Sequence, residues 1–559
     1  MTVDSVTAEG LQLSFLQFPF VLHITLNRPY LRNEMVTVQV FYHGTPFPTG
    51  FGSFEFGNHQ GTPWVWSLSE PYGARDWWPC KDHPTDKADS VDIWVTCDAG
   101  LTVGSNGRLM EERNNGDGTA TTRWAERYPI ATYLVSVAIT NYARFSNWWR
   151  YAPGDSLQIL QYVLPEDLSD ALAQLPKTVS MLDIFSRVYG LYPFIKEKYG
   201  HSEFGSGGAM EHQTMTSTTS FDEVVIAHEL SHQWFGDLIT CGNWQNLWLN
   251  EGFASYSESV YFEQMYGVPY YWSLITARMN KALTVSGSLF VQDTTVVRTL
   301  FDDRLVYSKG ASVLHMLRHV LGDSIFFRSI RSYVSDSRLR YGTAVTEDFR
   351  RHCELISGRD LGYFFQEWVY GQNHPRYSYR WSAAPAATGY TVDIRIDQVT
   401  NTSNPSFFVM PVDLRFSSGT WDTTVVVFDF TNDQSFSIPA SHRPQAVALD
   451  PDNWILKEVL PPNGELPASF SLNQNFPNPF NGGTTIQYSL PHHLQTSLKI
   501  FNVLGEEVLT LLDGEAGPGT FSIPWDGTAR NGVLLPSGVY FCRMQTDGFS
   551  QTRKMVILR

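Results

Sequence analysis

Cysteine is scarce in this sequence: five residues among 559, Cys80, Cys97, Cys241, Cys353 and Cys542, with no C-x-x-C spacing. That excludes a zinc knuckle and a thioredoxin-like redox motif. Long hydrophobic runs are missing too, and the longest, such as Tyr133 to Ile139, fall far short of the roughly 20 residues a membrane-spanning helix needs. Positive charge is in short supply, with 40 Lys and Arg against 56 Asp and Glu and a formal net charge of -16. A nucleic-acid partner needs a basic surface, so that class is set aside. No internal repeat or low-complexity tract appears. Met1-Thr2-Val3-Asp4-Ser5 has no basic segment followed by an apolar one, so no signal peptide is visible.

What is present reads as several folded domains, because 559 residues are too many for one core. Residues 1–150 read as a β domain, with alternation in Leu22–Leu26, Val36–Val40, Val91–Val95 and Tyr133–Ile139 and hairpin signals at Asn106-Gly107 and Asn115-Gly116. Over 151–375 the period turns helical from about Asp155, with helices expected over Leu168–Tyr189, Val224–Phe235, Val306–Leu321, Thr346–Ser357 and Leu361–Tyr370. Residues 376–460 return to alternation and predict a small β-sandwich. Pro461-Pro462-Asn463-Gly464 reads as a linker, and 468–559 as a last β unit. The fold class is multidomain α+β.

The most informative motif is His228-Glu229-Leu230-Ser231-His232, followed after eighteen residues by Glu251. At i and i+4 on a helix, His228 and His232 share a face, and Glu229 is turned about 100° away from His228. Two imidazoles and a carboxylate with a fourth position open describe a catalytic zinc site, one Zn2+ ion, rather than a closed structural one. Such a pentad also arises by accident in a chain with 15 His and 56 acidic residues. The context argues otherwise: Ser220 to Glu223 offer a cap, Gly236 a stop, and Glu251 opens a second amphipathic stretch ending near Gly267 and Pro269. Glu258, seven residues after Glu251, is either a partner holding a ligand imidazole or a solvated charge.

Bound zinc would bring the pKa of a water near neutral, and Glu229 would take its proton and return it to the leaving amine. Gly207-Gly208-Ala209-Met210-Glu211-His212 suggests how a chain end is recognised. A glycine-rich stretch can run as an edge beside an extended peptide while Glu211 grips a free α-ammonium.

Gly208-Ala209-Met210-Glu211, the zinc motif with its spacer, and Trp248-Leu249-Asn250-Glu251-Gly252-Phe253-Ala254 together resemble the aminopeptidase N family of zinc metallopeptidases over about residues 11–460. The resemblance implies an N-terminal β domain, a thermolysin-like catalytic domain and a small β-sandwich. It implies that Glu211 and Glu70 bind the substrate amine, that Tyr307 donates to the oxyanion, and that Gly208, Ala209, Met210 and Leu68 line the backbone track or first pocket. In three respects the chain departs from the pattern. His212 stands where most relatives have Asn, Leu68 replaces a glutamine, and the large helical C-terminal domain of longer relatives is absent. The sequence also begins inside the family's first domain, which implies an upstream portion.

Residues from about 470 have a resemblance of their own. Asn475-Phe476-Pro477-Asn478-Pro479, Phe501-Asn502-Val503-Leu504-Gly505 and Ser537-Gly538-Val539-Tyr540 resemble the immunoglobulin-like C-terminal sorting domains of secreted bacterial proteins, read by the type nine secretion machinery. An ordinary accessory sandwich is the plainer alternative. The expectation is a secreted or cell-surface zinc aminopeptidase acting on peptides with a free N-terminus. A thermolysin-like endopeptidase and an inactive binding module that retains the fold are the competing readings.

Overall fold

The computed structural model describes residues 1–460, 469–490, 494–516, 519–530 and 532–559. The expected linker Pro461-Pro462-Asn463-Gly464 and the expected domain start at 468 lie outside the described residues. Two compact units emerge: Met1–Tyr261 with Val291–Leu300 and Phe327–Ile356, and Phe262–Phe290 with Phe301–Phe326 and Ser357–Arg559. Among the described residues, no helix is long and apolar enough to cross a membrane.

The first unit opens with antiparallel sheets, as the alternation requires. In strand Val91–Asp98 half-buried and exposed residues alternate at every step, because successive side chains leave opposite faces. Asn115-Gly116 closes the hairpin of Arg108–Asn114 with Thr119–Glu126. Asn106-Gly107 does not make the hairpin its composition suggests. Thr102–Ser105 pairs with Val137–Thr140, while Arg108–Asn114 pairs with Thr119–Glu126, so the dipeptide is a corner where the chain changes sheets. Gly107 has φ +73, and a Cβ there would lie 2.1 Å from the Ala125 carbonyl oxygen, so only glycine fits. Of Tyr133–Ile139 only the end is strand: Thr132–Leu134 forms a 3-10 turn before Val137–Thr140. An apolar run this short carries no period that separates the two.

Beyond this lies a five-stranded mixed sheet in the order Ala143–Ala152, Asp155–Val163, Tyr199–Glu203, Thr216–Thr218, Ala209–Met210. The helical period therefore does not begin at Asp155, and position 150 falls inside the first hairpin of this sheet. Tyr199–Glu203 is buried at every position, which removes the alternation that marks a half-exposed strand. Helices follow at Leu168–Gln174, Thr178–Tyr189, Glu223–His232 and Trp248–Tyr266. The expected single helix over Leu168–Tyr189 is interrupted by a 3-10 turn at Leu175–Lys177, where Pro176 cannot continue the ladder.

In the second unit, helix Val268–Ala282 packs against Gly310–Leu321 and against the π-helical segment Asp303–Lys309. The helix expected from Val306 thus starts later, and Tyr307 sits in the π turn. Residues from Arg376 form two antiparallel-rich sheets whose inward positions Val392, Ile394, Ile396, Met410, Val412 and Leu414 are buried. The last domain has sheets of three and four strands around a single core that includes Leu472, Ile486, Leu498, Trp525 and Ile557.

Candidate active site

Helix Glu223–His232 starts where Asp222, in extended backbone, accepts a hydrogen bond from the Val224 N–H at 2.9 Å. This is the cap the sequence suggests. Its helical spacing sets the His228 and His232 rings 4.8 Å apart. Glu251 lies in the first turn of Trp248–Tyr266, anchored beside Asn250, whose side-chain oxygen accepts the Cys241 N–H at 3.1 Å. This second helix is not amphipathic over its first half, since every residue from Trp248 to Tyr261 is buried. The site is thus built on a helix packed on all sides.

The three side chains converge. Glu251 Oε2 is 3.3 Å from His228 Nε2 and 3.4 Å from His232 Nε2. Ligand bonds of about 2.0 to 2.1 Å in a tetrahedron put ligand atoms about 3.3 to 3.4 Å apart, whereas a direct charged hydrogen bond would close to about 2.7 to 2.9 Å. The donor set and spacing fit zinc. The remaining ring nitrogens are held from outside: His228 Nδ1 lies 2.8 Å from Glu258 Oε1, and His232 Nδ1 lies 3.0 Å from the Phe235 carbonyl. Both Nε2 atoms are thereby turned inward. Glu258 is 2% exposed, so it is not the solvated charge of the plainer alternative.

Further carboxylates crowd the same place. Potential ligand atoms of Glu211, Glu229 and His232 lie within 4.8 Å of one another, as do those of Glu70, Glu211 and Glu251. All are buried, and one oxygen each of Glu70, Glu211 and Glu229 has no hydrogen-bond partner among the described residues. Burial, then the neighbouring Glu211 and Glu251, drives Glu70 well above the usual carboxylate range. Burial likewise raises Glu211, and it pushes Glu229 up to about 7. Glu251 is the exception: burial opposes its charge, but His232 and His228 hold it down at about 2. Burial also disfavours the His228 cation, yet Glu251 and Glu258 prevail and push it up to about 9. Carboxyl groups buried this closely keep their charge only where a cation sits beside them.

Glu211 follows strand Ala209–Met210, which pairs on one side only, with Ala209 opposite Thr218 and Met210 opposite Ser217. An edge strand leaves backbone groups free to pair with an extended peptide. Gly208 before it has φ +90, a conformation suited to glycine. Leu68 is buried just past strand Thr62–Ser67, its N–H donating to the Ser53 carbonyl, two residues before Glu70. His212 is buried with Nδ1 2.8 Å from Ser217 Oγ, and burial pushes it down to about 3, so it is neutral. Tyr307 belongs to the second unit and is half-buried there.

Gln233 escapes the sequence reading altogether. Fully buried, it donates through Nε2 to Asp237 Oδ2 at 2.7 Å and to the Glu211 carbonyl at 3.4 Å. Its Oε1 accepts from the Thr214 N–H at 2.9 Å. One amide thus ties the Glu211 segment to the histidine helix. Its position directly after His232 is the only signal, and a glutamine there reads equally as a solvated side chain.

Family models match at three places: the Peptidase M1 N-terminal domain at residues 6–134, the Peptidase family M1 domain at 206–368, and a Secretion system C-terminal sorting domain at 474–558. A leucyl aminopeptidase of Saccharolobus solfataricus is 28% identical over 326 residues, 54% of this chain and 40% of that protein. Aminopeptidase M1 of Arabidopsis thaliana is 27% identical over 330 residues, 55% of this chain and 36% of that protein. The chain thus spans well under half the length of these curated relatives. An M1 zinc metallopeptidase from Deinococcus radiodurans superposes with TM-score 0.58 at 26% identity, covering 66% of this chain and 83% of the other. Aminopeptidase A of Legionella pneumophila shares the fold, with TM-score 0.70 at 20% identity over 82% of this chain and 54% of its own.

Proposed function

The chain carries the N-terminal and catalytic domains of peptidase family M1 and a secretion-system sorting domain, and from that premise we propose that it is an exported zinc aminopeptidase. The observation that supports this most is the pairing of two buried sets in one place, His228, His232 and Glu251 beside Glu70 and Glu211 with unsatisfied oxygens. The first set suits one zinc ion; the second suits a substrate's α-ammonium.

Zinc held by His228, His232 and Glu251 would supply Lewis acidity toward the scissile carbonyl and the attacking water. The protein's own residues do the rest. Glu229, whose carboxyl is balanced near neutrality by burial, accepts the proton of the attacking water and passes it to the departing amine. Glu70 and Glu211 bind the ammonium and fix where the peptide begins. Strand Ala209–Met210 aligns the peptide backbone, and Glu258 orients His228. In this reading Tyr307 donates a hydrogen bond to the oxyanion. An endopeptidase would leave Glu211 and Glu70 without a cation, and an inactive binding module would have no use for Glu229. The sorting domain's match supports delivery by a secretion system.

Metal analysis of the purified chain is expected to find one zinc, and chelation to abolish hydrolysis of aminoacyl amides, with activity returning on adding zinc back. Retained turnover in the stripped protein would exclude the reading. On specificity, Leu68 makes the first pocket less polar. Leucyl amides are expected to exceed arginyl amides in kcat/KM by about 10 to 200-fold at most, the range one apolar contact supports. A strong arginyl preference would remove Leu68 from the pocket.

A further inference from the structure

A separate pocket of the first unit, about 580 Å³, is lined by none of the histidines and glutamates discussed above. One wall is a single face of the hairpin Ala143–Ala152 and Asp155–Val163. The register sets Arg144 opposite Tyr162, Ser146 opposite Leu160 and Trp148 opposite Gln158. Because side chains alternate along a strand, all six share a face, and all six line the pocket. Across from them stand Arg108, Leu109 and Trp124, with Lys196, Glu197 and Lys198.

The charge of this lining runs against that of the chain. In a protein of net charge -16, three cations, Arg108, Arg144 and Lys196, and the buried amine of Lys198, which burial pushes down to about 7, gather around one carboxylate, Glu197. Glu197 Oε1 is engaged by the Arg127 N–H at 2.7 Å while its Oε2 is buried without a hydrogen-bond partner among the described residues, and Arg144 is shared with Glu112 at 2.7 Å. Among the described residues, no carboxylate pairs with Arg108 or Lys196. Glu126 lies near Lys198, but burial and Glu197 raise it far above the usual carboxylate range, so it supplies little countercharge.

Two groups point to what is missing. Lys198 is 3% exposed, its Nζ donating to the Thr214 carbonyl at 2.9 Å and lying 5.2 Å from the centre of the Trp124 ring. Tyr162 is fully buried; Arg144 beside it can only donate to its hydroxyl oxygen, and among the described residues no acceptor takes its O–H. A buried donor of this kind requires an acceptor. Around it the surfaces are apolar: Leu109, Trp124, Phe145, Leu160 and the half-exposed Trp148.

We propose that this pocket is a binding site for a small organic carboxylate, its anionic head held by Lys198, Tyr162, Arg108 and Lys196 and its apolar or aromatic body lying against Trp124 and Trp148. Hydrogen bonds from charged donors favour an anionic head, and aromatic walls favour a body with a face to stack. The inference does not depend on the peptidase reading, because the two residue sets do not overlap.

Calorimetry on the full chain at neutral pH, with 3-phenylpropanoate, 3-phenylpropanamide and inorganic phosphate as probes, tests it. Saturable binding of the acid is expected, with the amide and phosphate each about tenfold weaker or more. The exposed double charge reversal Arg108→Glu with Lys196→Glu is expected to weaken the acid about tenfold or more, and Trp148→Ala to weaken it several-fold. Aminoacyl amide hydrolysis, read in parallel, should be unchanged in both. Equal binding of acid and amide, equal binding of phosphate, no saturation, or an undiminished affinity in both variants would overturn the proposal, the last by placing the acid elsewhere.

Discussion

Glu229→Ala is expected to abolish measurable hydrolysis while zinc stays bound at one ion per chain. The separation follows from geometry: Glu251 Oε2 lies 3.3 and 3.4 Å from the Nε2 atoms of His228 and His232, and Glu229 is not needed to complete that set. What the mutation removes is a buried carboxyl pushed up to about 7, a group able both to take a proton and to give it back near neutral pH. General acid–base groups contribute about 10² to 10⁴ in rate, and the loss should appear in kcat more than in KM. Metal content by elemental analysis and turnover of a leucyl amide check the two halves separately. Undiminished activity with zinc in place would show that another group takes the proton, or that the hydrolysis came from a contaminant. Loss of zinc together with activity would instead assign Glu229 a structural part in holding the ion.

Acetylating the substrate's amino terminus should have an effect of similar size. Glu70 and Glu211 are 5% and 3% exposed, each with an oxygen lacking a partner among the described residues, and burial raises both. An α-ammonium supplies the countercharge and the donors they lack. Charge-assisted hydrogen bonds contribute about 1.5 to 3 kcal/mol each, so a peptide that cannot make them should lose at least about a hundredfold in kcat/KM. A neutral blocked end also leaves two buried acids facing an amide, which adds to the cost. Glu211→Gln in turn should lower kcat/KM for free peptides by about tenfold or more, leave zinc content unchanged, and narrow the gap between free and blocked substrates. Equal cleavage of free and acetylated peptides would replace the exopeptidase reading with an endopeptidase that uses the same metal group.

The two experiments probe different layers of the sequence. The histidine pentad and Glu251 were legible because a helix enforces its own geometry: spacing of four puts two rings on one face whatever surrounds it. The Asp222 cap and the glycine at 208 are local in the same sense. Glu211 was legible from the glycine-rich stretch that carries it, but Glu70 only through family resemblance, since the two positions are 141 apart in the chain and no period links them. Their approach depends on strand Ala209–Met210 reaching the sheet edge and on the turn after Thr62–Ser67, both tertiary outcomes.

Where the sequence reading failed, packing had overridden the local signal. Asn106-Gly107 has hairpin chemistry, yet the dipeptide turns a corner between sheets because Asn106 is held by carbonyls of Leu134 and Gln213. Asp155–Val163 read as the start of a helical region, but it is the second strand of a sheet whose next member, Tyr199–Glu203, is buried throughout and shows no alternation. Gln233 looked like any polar residue at a helix end until its hydrogen bonds with Asp237, Glu211 and Thr214 were visible. The sequence by itself determined the type of most elements, the domain order and the ligand spacing, because these depend on backbone periodicity and on side chains a few residues apart. Only the tertiary structure decided which buried acids share a site, which lysine and arginine residues surround the aromatic pocket, and which strand is left with an open edge, because burial and contact between distant residues set charge and pairing.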